Sequence, residues 1–243
     1  MTGARFAAMR YAIYFTPPRD HPLTRAASSW LGRDAFSGLT LPHAERTGLA
    51  LGELAYFTAV PRRYGFHGTL KAPFRLSEDF TEDDLVAAAE AFSGQVQPVT
   101  IDRVTVARLG GFFAIVPETA NPELNDFASQ VVAIFDRLRA PLTEKEFQRR
   151  DPDRLSTSQL RNLQNWGYPY VFDDFRFHMT LTGHVEPADR ARLQAALERH
   201  FHDVLAEPLH IDHLAIFVER ETGAPFEVHS IFPIAAGNKR RFA

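Results

Sequence analysis

The chain has 243 residues, of which 45% are hydrophobic and 23% charged, and its formal net charge is −3. These values are typical of a soluble globular protein, and the charge gives no overall basic field of the kind that holds nucleic acid. Because the sequence contains no cysteine, disulfides, thiol nucleophiles and cysteine-ligated metals are excluded. The length suffices for one large domain or for two small lobes.

The sequence carries no membrane or export signal. No apolar run is as long as a membrane-spanning helix, and Met1–Tyr14 lacks the uninterrupted apolar stretch of a signal peptide. We therefore expect a cytoplasmic protein without membrane contact. Residues 1–8 are expected to be a loose extension ahead of a first strand at Arg10–Phe15, which Pro17 ends. Residues 19–62 predict mostly loop with short helices.

The first informative segment is residues 64–76, which predicts a strand containing the pattern Phe-His-x-Thr-Leu at 66–70. Side chains alternate between the two faces of a strand, so His67, Thr69 and Lys71 are expected on one face. A His-x-Thr tripeptide alone is a weak signal, because chance produces it often.

The rest of the first half predicts a helix and a hairpin. Thr81 followed by three acidic residues is typical of a capped helix start. Alternation over Val99–Ala107, a Gly110-Gly111 turn and a strand at Phe112–Val116 predict the hairpin. A second amphipathic helix over 121–139 then joins the two halves.

Residues 142–175 are the most polar part of the chain. Long polar connections in compact domains are often lids or binding loops. Trp166 and Tyr168, in an aromatic turn, are candidates for stacking on a base or a ribose, although a packed loop explains them equally well. Arg149 and Arg150 could meet phosphates, but a solvated helix face is their default interpretation.

The pattern Phe-His-x-Thr-Leu recurs at residues 177–181, 111 residues after the first copy. Here Arg176, His178 and Thr180 are expected on one strand face. The elements after the motif are a helix and two strands, predicted at residues 186–201, 209–218 and 226–232. The basic tail Asn238–Ala243 is expected to be frayed.

Both halves therefore repeat the same order of motif strand, helix, strand, turn and strand. Ile101-Asp102 lies 34 residues after His67, and Ile211-Asp212 lies 33 residues after His178. These coincident spacings predict an internal duplication that sets the two motifs at symmetric places.

The predicted fold class is α+β, with two lobes related by a pseudo-two-fold axis. Each lobe is expected to be a small antiparallel sheet with helices on its outer face, and the active cleft is expected between the lobes. Residues 1–243 would form a single bilobal domain, with halves at about 10–117 and 141–235 linked by helix 121–139. Strands are free to cross between the lobes.

With this duplication the chain resembles the two-histidine (2H, HxTx) phosphoesterase superfamily over residues 10–233. The residues that carry the resemblance are His67-Gly68-Thr69-Leu70 and His178-Met179-Thr180-Leu181. Segments 62–67 and 166–170 resemble a bacterial branch of that superfamily, encoded beside phosphonate-utilisation (carbon–phosphorus lyase) genes. The resemblance implies two lobes that each give one histidine motif to a central cleft.

Hydrolysis of a cyclic phosphodiester needs one group to deprotonate water and another to protonate the leaving alkoxide. Histidine suits both roles, since its pKa of about 6.5 lies near neutrality. We predict His67 and His178 as this pair, without deciding which is the base. Hydroxyls and cations would stabilise the charge on the non-bridging oxygens. The candidate phosphate-binding residues are Thr69, Thr180, Lys71 and Arg176, and the candidate substrate-binding residues are Arg63, Tyr168 and Trp166.

The expected activity is metal-independent and cofactor-independent hydrolysis of a small cyclic nucleotide or cyclic sugar phosphate, by analogy in phosphonate metabolism. One alternative is a non-catalytic module that binds RNA or nucleotides through the aromatic residues of 142–175. Another is an RNA-end ligase or transesterase, since the same two histidines can run cyclic-phosphate chemistry in reverse. The sequence leaves open the substrate, the regiochemistry and the oligomeric state.

Overall fold

The computed structural model describes residues 9–45 and 47–234. The expected loose extension at residues 1–8 and the expected frayed tail from Asn238 lie outside this range, as does residue 235 at the predicted end of the second half. Within the described residues, no helix is long and apolar enough to cross a membrane.

The strands follow the predicted order, but the described residues form nine strands where the sequence predicted seven, because two are divided, and several are shorter than predicted. They are β1 (Arg10–Phe15), β2 (Gly68–Phe74), β3 (Val99–Ile101), β4 (Val104–Leu109), β5 (Phe112–Pro117), β6 (Met179–Thr180), β7 (Leu209–Ile211), β8 (His213–Glu219) and β9 (Glu227–Pro233). The single strands predicted at 99–107 and 209–218 each break after the Ile-Asp pair, because their first three residues leave for a separate two-stranded sheet.

Five of the seven α-helices that the structure describes begin at a side-chain cap. The seven are α1 (Pro22–Leu31), α2 (Leu51–Tyr64), α3 (Glu82–Ser93), α4 (Pro122–Asp136), α5 (Glu144–Gln148), α6 (Thr157–Trp166) and α7 (Arg190–Phe201). The Thr81 side chain caps α3 and the Asn121 side chain caps α4, each accepting from the third residue of its helix. Helix α2 was not predicted at this length, because Gly52 and Pro61 lie inside it.

The main sheet has seven antiparallel strands in the order β4-β5-β6-β2-β1-β8-β9. The first motif precedes and enters β2, which pairs with β1 and β6, and β1 in turn pairs with β8 of the second half. The second motif precedes and enters β6, which pairs with β5 of the β4-β5 hairpin of the first half. The β4-β5 hairpin thus borders the motif strand of the second half, and the β8-β9 hairpin borders β1 and β2 of the first half.

A pseudo-two-fold axis passes between β2 and β6 at the centre of this sheet. Gly68 pairs with Met179, which is the equivalent residue of the second motif. In the two-stranded sheet, Thr100 pairs with His210, and these two residues are also equivalent in the repeat. Equivalent residues that pair with each other must lie on the axis, so the predicted duplication and the α+β, two-lobed fold are confirmed.

The helices cover one face of the sheet and leave the other face open at the centre. In β1, Tyr11, Ile13 and Phe15 belong to the large core beneath the helices. Their neighbours Ala12 and Tyr14 belong to a smaller cluster on the opposite face, with Ala35, Ala215, Phe217 and Phe226. The strand alternation therefore separates the core from a face that can receive a ligand.

The two motif strands approach each other closely because the first has a glycine where the second has methionine. A β-carbon built on Gly68 would lie 2.5 Å from Cε2 of Phe177, closer than packed carbon atoms allow. Phe177 is itself buried beneath the sheet. The two motif strands can therefore lie this close only because residue 68 has no side chain.

We expect Gly68→Ala to lower the free energy of unfolding by roughly 1–3 kcal/mol, the usual result of overpacking a core. Gly52→Ala is the matched control, since its β-carbon would meet no atom within 4 Å and alanine favours the helix it occupies. Chemical denaturation measures both changes. Equal midpoints for Gly68→Ala and the wild type would contradict the close packing described above.

Candidate active site

The two motifs form a four-residue group on the open face of the sheet. Antiparallel pairing of Gly68 with Met179 sets His67 opposite Thr180 and Thr69 opposite His178. Directly opposed residues have β-carbons about 4.5–5.5 Å apart. Each histidine therefore faces the threonine of the other motif, and all four side chains share one surface.

The conserved spacing of the pattern follows from the alternation of the strand. In both motifs the Phe and Leu positions are buried in the core, as seen at Phe66, Leu70, Phe177 and Leu181. The His and Thr positions between them are only partly buried. The apolar pair anchors each strand, and the polar pair is directed to the cleft.

Both histidines are held in the same tautomer by the same local hydrogen bond. Nδ1 of His67 lies 2.9 Å from the carbonyl oxygen of Gly65, and Nδ1 of His178 lies 2.8 Å from that of Arg176. A carbonyl oxygen only accepts, so each Nδ1 must carry the hydrogen and donate it. Each neutral ring then has its lone pair on Nε2.

His67 lies in a more enclosed environment than its partner. Its ring stacks on Tyr14 with centroids 3.8 Å apart, and Phe217 lies 5.9 Å away. Burial lowers the pKa of His67 from its ordinary 6.5 to about 4, opposed by the hydrogen bond to Gly65 and reinforced by the charge of His178. His67 is therefore neutral at pH 7.

His178 lies at the edge of the site. Its ring is 5.7 Å from that of Phe112, and its charge adds to the lowering of the His67 pKa. The backbone symmetry of the motifs thus does not extend to their surroundings, since one ring is packed between aromatic side chains and the other is more open.

A cleft of about 490 Å³ opens beside His67, Thr69 and Thr180. Its walls carry arginines and tyrosines, with one carboxylate. These residues are Arg10, Arg63, Arg149, Arg150, Tyr14, Tyr64, Tyr168 and Glu146. The excess of guanidinium groups makes the cleft suited to an anionic ligand.

Two of these arginines share one buried carboxylate. Glu219 is fully buried and accepts hydrogen bonds from Arg10 and Arg63. Burial alone would raise the pKa of Glu219, but the hydrogen bond and charge of Arg10, with further donors including Arg63, leave it below its ordinary value. The trio keeps one net positive charge at the cleft wall and holds Arg63 in position.

The prediction that Lys71 shares the histidine face was wrong. Thr69 pairs with Tyr14 and Lys71 pairs with Ile13, so one extra residue of β2 forms a bulge between them. A bulge reverses the alternation. Lys71 is consequently buried on the helix side, where its Nζ lies 2.8 Å from Asp136 of α4. It cannot contact a ligand held by His67.

The other predicted site residues divide into those that line the cleft and those that do not. Arg63 and Tyr168 line it. Arg176 is exposed and is not among the cleft residues, and Trp166 packs on Phe172 with ring centroids 5.0 Å apart. Whether any of these residues contacts substrate stays a prediction.

Sequence reasoning missed Arg10, Tyr14 and Glu219 in this site. Arg10 and Tyr14 occupy alternate positions of β1, which identifies a shared face but not which face receives the ligand. Glu219 is far along the chain and reaches Arg10 only through the pairing of β1 with β8. Among the described residues, no group of three or more histidine, aspartate or glutamate side chains could hold a metal ion.

Comparisons with known proteins give two curated relatives and several solved structures. "Ribose 1,5-bisphosphate phosphokinase PhnN" of Janthinobacterium sp. (strain Marseille) is 42% identical over 95% of this chain and 52% of its own length. The protein of the same name from Laribacter hongkongensis (strain HLHK9) is 33% identical over 90% of this chain and 50% of its own. The chain thus spans about half the length of the curated relatives it matches.

The similar solved structures are remote in sequence. The crystal structure of a phosphoesterase has a TM-score of 0.40 at 7% identity, covering 94% of this chain and 99% of that one. The crystal structure of E. coli LigT complexed with NADP+ has a TM-score of 0.41 at 9% identity, covering 94% of this chain and 98% of that one.

The resemblance to the two-histidine phosphoesterases is confirmed by the fold and by the motif pair at its centre. The family model described as "Protein of unknown function (DUF1045)" matches residues 69–227. This match covers more than half of the chain and includes the whole second motif. The chain therefore belongs to the DUF1045 family.

Proposed function

We propose that this protein is a metal-independent phosphoesterase that hydrolyses a cyclic phosphodiester by acid–base catalysis from His67 and His178. The observation that carries the proposal is the pairing of two His-x-Thr motifs with each Nδ1 bound to a backbone carbonyl. His67 lines the anion-binding cleft, and His178, which is not among the lining residues, faces Thr69, which is. Two imidazoles so placed can supply both proton transfers, so the reaction needs no metal.

His67 acts as the base in this proposal. Because its pKa of about 4 lies well below neutrality, Nε2 keeps its lone pair at pH 7 and can take a proton from water. The water oxygen bonds to phosphorus, and the bond from phosphorus to one ring ester oxygen breaks. His178 acts in its imidazolium form, with a hydrogen on each nitrogen, and gives its Nε2 proton to that leaving oxygen, so the product is a phosphate monoester with a free hydroxyl.

The threonines and the cleft arginines stabilise the negative charge of the transition state. The hydroxyls of Thr69 and Thr180 lie across from the two imidazoles and can donate to the non-bridging oxygens. The Arg10–Glu219–Arg63 trio adds a positive charge at the same wall. Donors held in place before the reaction contribute most, because they need no rearrangement when charge develops.

The names of the curated relatives direct the choice of substrate to ribose phosphates. A 1,2-cyclic phosphate of ribose 5-phosphate that opens at O2 leaves its phosphate on C1, which gives ribose 1,5-bisphosphate. That compound is in the printed name of both relatives. We therefore propose this cyclic ribose phosphate, in phosphonate metabolism, as the first candidate, with small cyclic nucleotides as the second.

A direct test uses purified protein and a panel of cyclic phosphodiesters that includes this ribose derivative and 2′,3′-cyclic nucleotides. We expect His67→Asn and His178→Asn each to lower kcat by roughly 10²–10⁴-fold, because each removes one proton transfer. Asparagine retains a donor in place of Nδ1–H. His202→Asn is the control, since His202 is exposed and paired with Asp203. The mechanism is wrong if both motif variants keep the wild-type rate, and joined rather than hydrolysed products would indicate a ligase.

The pH dependence gives a second test of the role of His67. The base must be unprotonated, so kcat/KM should fall as the pH drops through about 4, not through the 6.5 of an ordinary histidine. The unfolded chain binds this proton at the higher pH, so the free energy of unfolding should also fall between about pH 6.5 and 4. Thermal unfolding of His67→Asn should lose that component. An acidic limb of kcat/KM centred near pH 6.5 would contradict a neutral base at His67. So would the same pH dependence of the free energy of unfolding in the wild type and in His67→Asn.

A further inference from the structure

Two arginines in the cleft wall have charges that the protein itself does not neutralise. Arg149 and Arg150 follow α5 and line the same cleft as His67. Arg10 and Arg63 share Glu219, and Arg75 is paired with Glu146. Across residues 9–45 and 47–234, by contrast, no carboxylate forms an ion pair with Arg149 or Arg150. An uncompensated pair of guanidinium groups in a cavity favours an anionic ligand.

The segment that carries this pair is fixed to the first motif strand. Arg75, just after β2, donates to both oxygens of Glu146 at 3.0 Å and to the carbonyl of Pro141 at 2.8 Å. The hydrogen bonds from Arg75 lower the pKa of Glu146 to about 2, so this pair stays ionised. Thr143, the N-cap residue of α5, donates to the same carboxylate through its backbone N–H and its hydroxyl. The position of the arginines is therefore set relative to the histidine site.

Arg150 is further oriented by a half-buried aromatic residue. Its guanidinium carbon lies 4.9 Å from the ring centroid of Tyr168. Arg150 is also close enough to Tyr14, the residue that stacks on His67, for its charge to oppose the upward shift that burial imposes on the pKa of Tyr14. Arg150, Tyr168 and Tyr14 all line the same cleft as His67. A solvated helix face does not explain this placement.

We infer that Arg149 and Arg150 bind a second phosphate of the substrate, a phosphate monoester separate from the cyclic phosphodiester. A monoester is mostly dianionic at pH 7, and guanidinium groups bind its oxygens through paired hydrogen bonds. The inference rests on the proposed function, which assigns the first phosphate, the cyclic phosphodiester, to the two-histidine site. The substrate class is then a small cyclic phosphodiester bearing a terminal phosphate, and cyclic phosphates without that group are poor substrates.

The test compares a pentose 1,2-cyclic phosphate with and without a 5-phosphate. The variant is Arg149→Gln/Arg150→Gln, and the control is Arg154→Gln/Arg161→Gln. The control removes the same charge from the same segment, outside the cleft-lining residues. We expect the variant to lose roughly 10–100-fold in kcat/KM for the 5-phosphorylated substrate only, as expected for lost charge-assisted hydrogen bonds. Arg150→Lys should be intermediate, because it keeps the charge without the paired donors.

Binding of ribose 5-phosphate to the His67→Asn protein, measured by calorimetry, separates this inference from the proposed function. Weaker binding of ribose 5-phosphate by the Arg149→Gln/Arg150→Gln variant, but not by the control variant, supports the subsite even if no cyclic substrate is cleaved. If the wild type cleaves the cyclic substrates and the Arg149→Gln/Arg150→Gln variant keeps the same preference for the 5-phosphorylated one, the inference is overturned. The proposed phosphoesterase function would still stand. Equal losses of kcat/KM or of ribose 5-phosphate affinity in the variant and the control would also overturn the inference, because they would indicate general electrostatic attraction only.

Discussion

The site depends on the pairing of Gly68 with Met179 at the centre of the main sheet. This pairing joins the group β4, β5 and β6 to the group β2, β1, β8 and β9, and it sets the His-x-Thr motifs side by side with a fixed register. A shift of either motif strand by one residue would turn its histidine and threonine into the core. The absence of a side chain at Gly68 lets Phe177 pack beneath the junction. One backbone contact therefore determines both the two-lobed shape and the geometry of the cleft.

The backbone is symmetric about this junction, but the chemistry is not. Both imidazoles are oriented by a carbonyl two residues earlier, which is a property of the repeated motif itself. His67 is stacked on a buried tyrosine and its pKa is strongly lowered, whereas the ring neighbour of His178 is Phe112. The uncompensated arginines Arg149 and Arg150 line the cleft beside His67. In the proposed mechanism, this asymmetry lets two copies of one motif take opposite proton-transfer roles and gives the substrate a single direction of binding.

Sequence reasoning predicted the features that local patterns determine. The capped helices α3 and α4, the β4-β5 hairpin and the duplication follow from caps, alternation and spacing, and they were confirmed. Features that depend on distant pairing were not predictable. The exchange of motif strands between the halves needs contacts far apart in the chain. The bulge that turns Lys71 to Asp136 adds one residue to β2, and the residues at the bulge, 69–71, include no glycine or proline to signal it. Arg10 and Glu219 meet only through the register of β1 and β8.

The most direct test of the central claim is a crystal structure of the protein soaked in inorganic phosphate. The account predicts one phosphate within hydrogen-bond distance of Nε2 of His67 and His178 and of the hydroxyls of Thr69 and Thr180. It predicts a second phosphate on Arg149 and Arg150. Phosphate bound elsewhere in the cleft, with the four motif side chains making no contact to it, would contradict the two-histidine site.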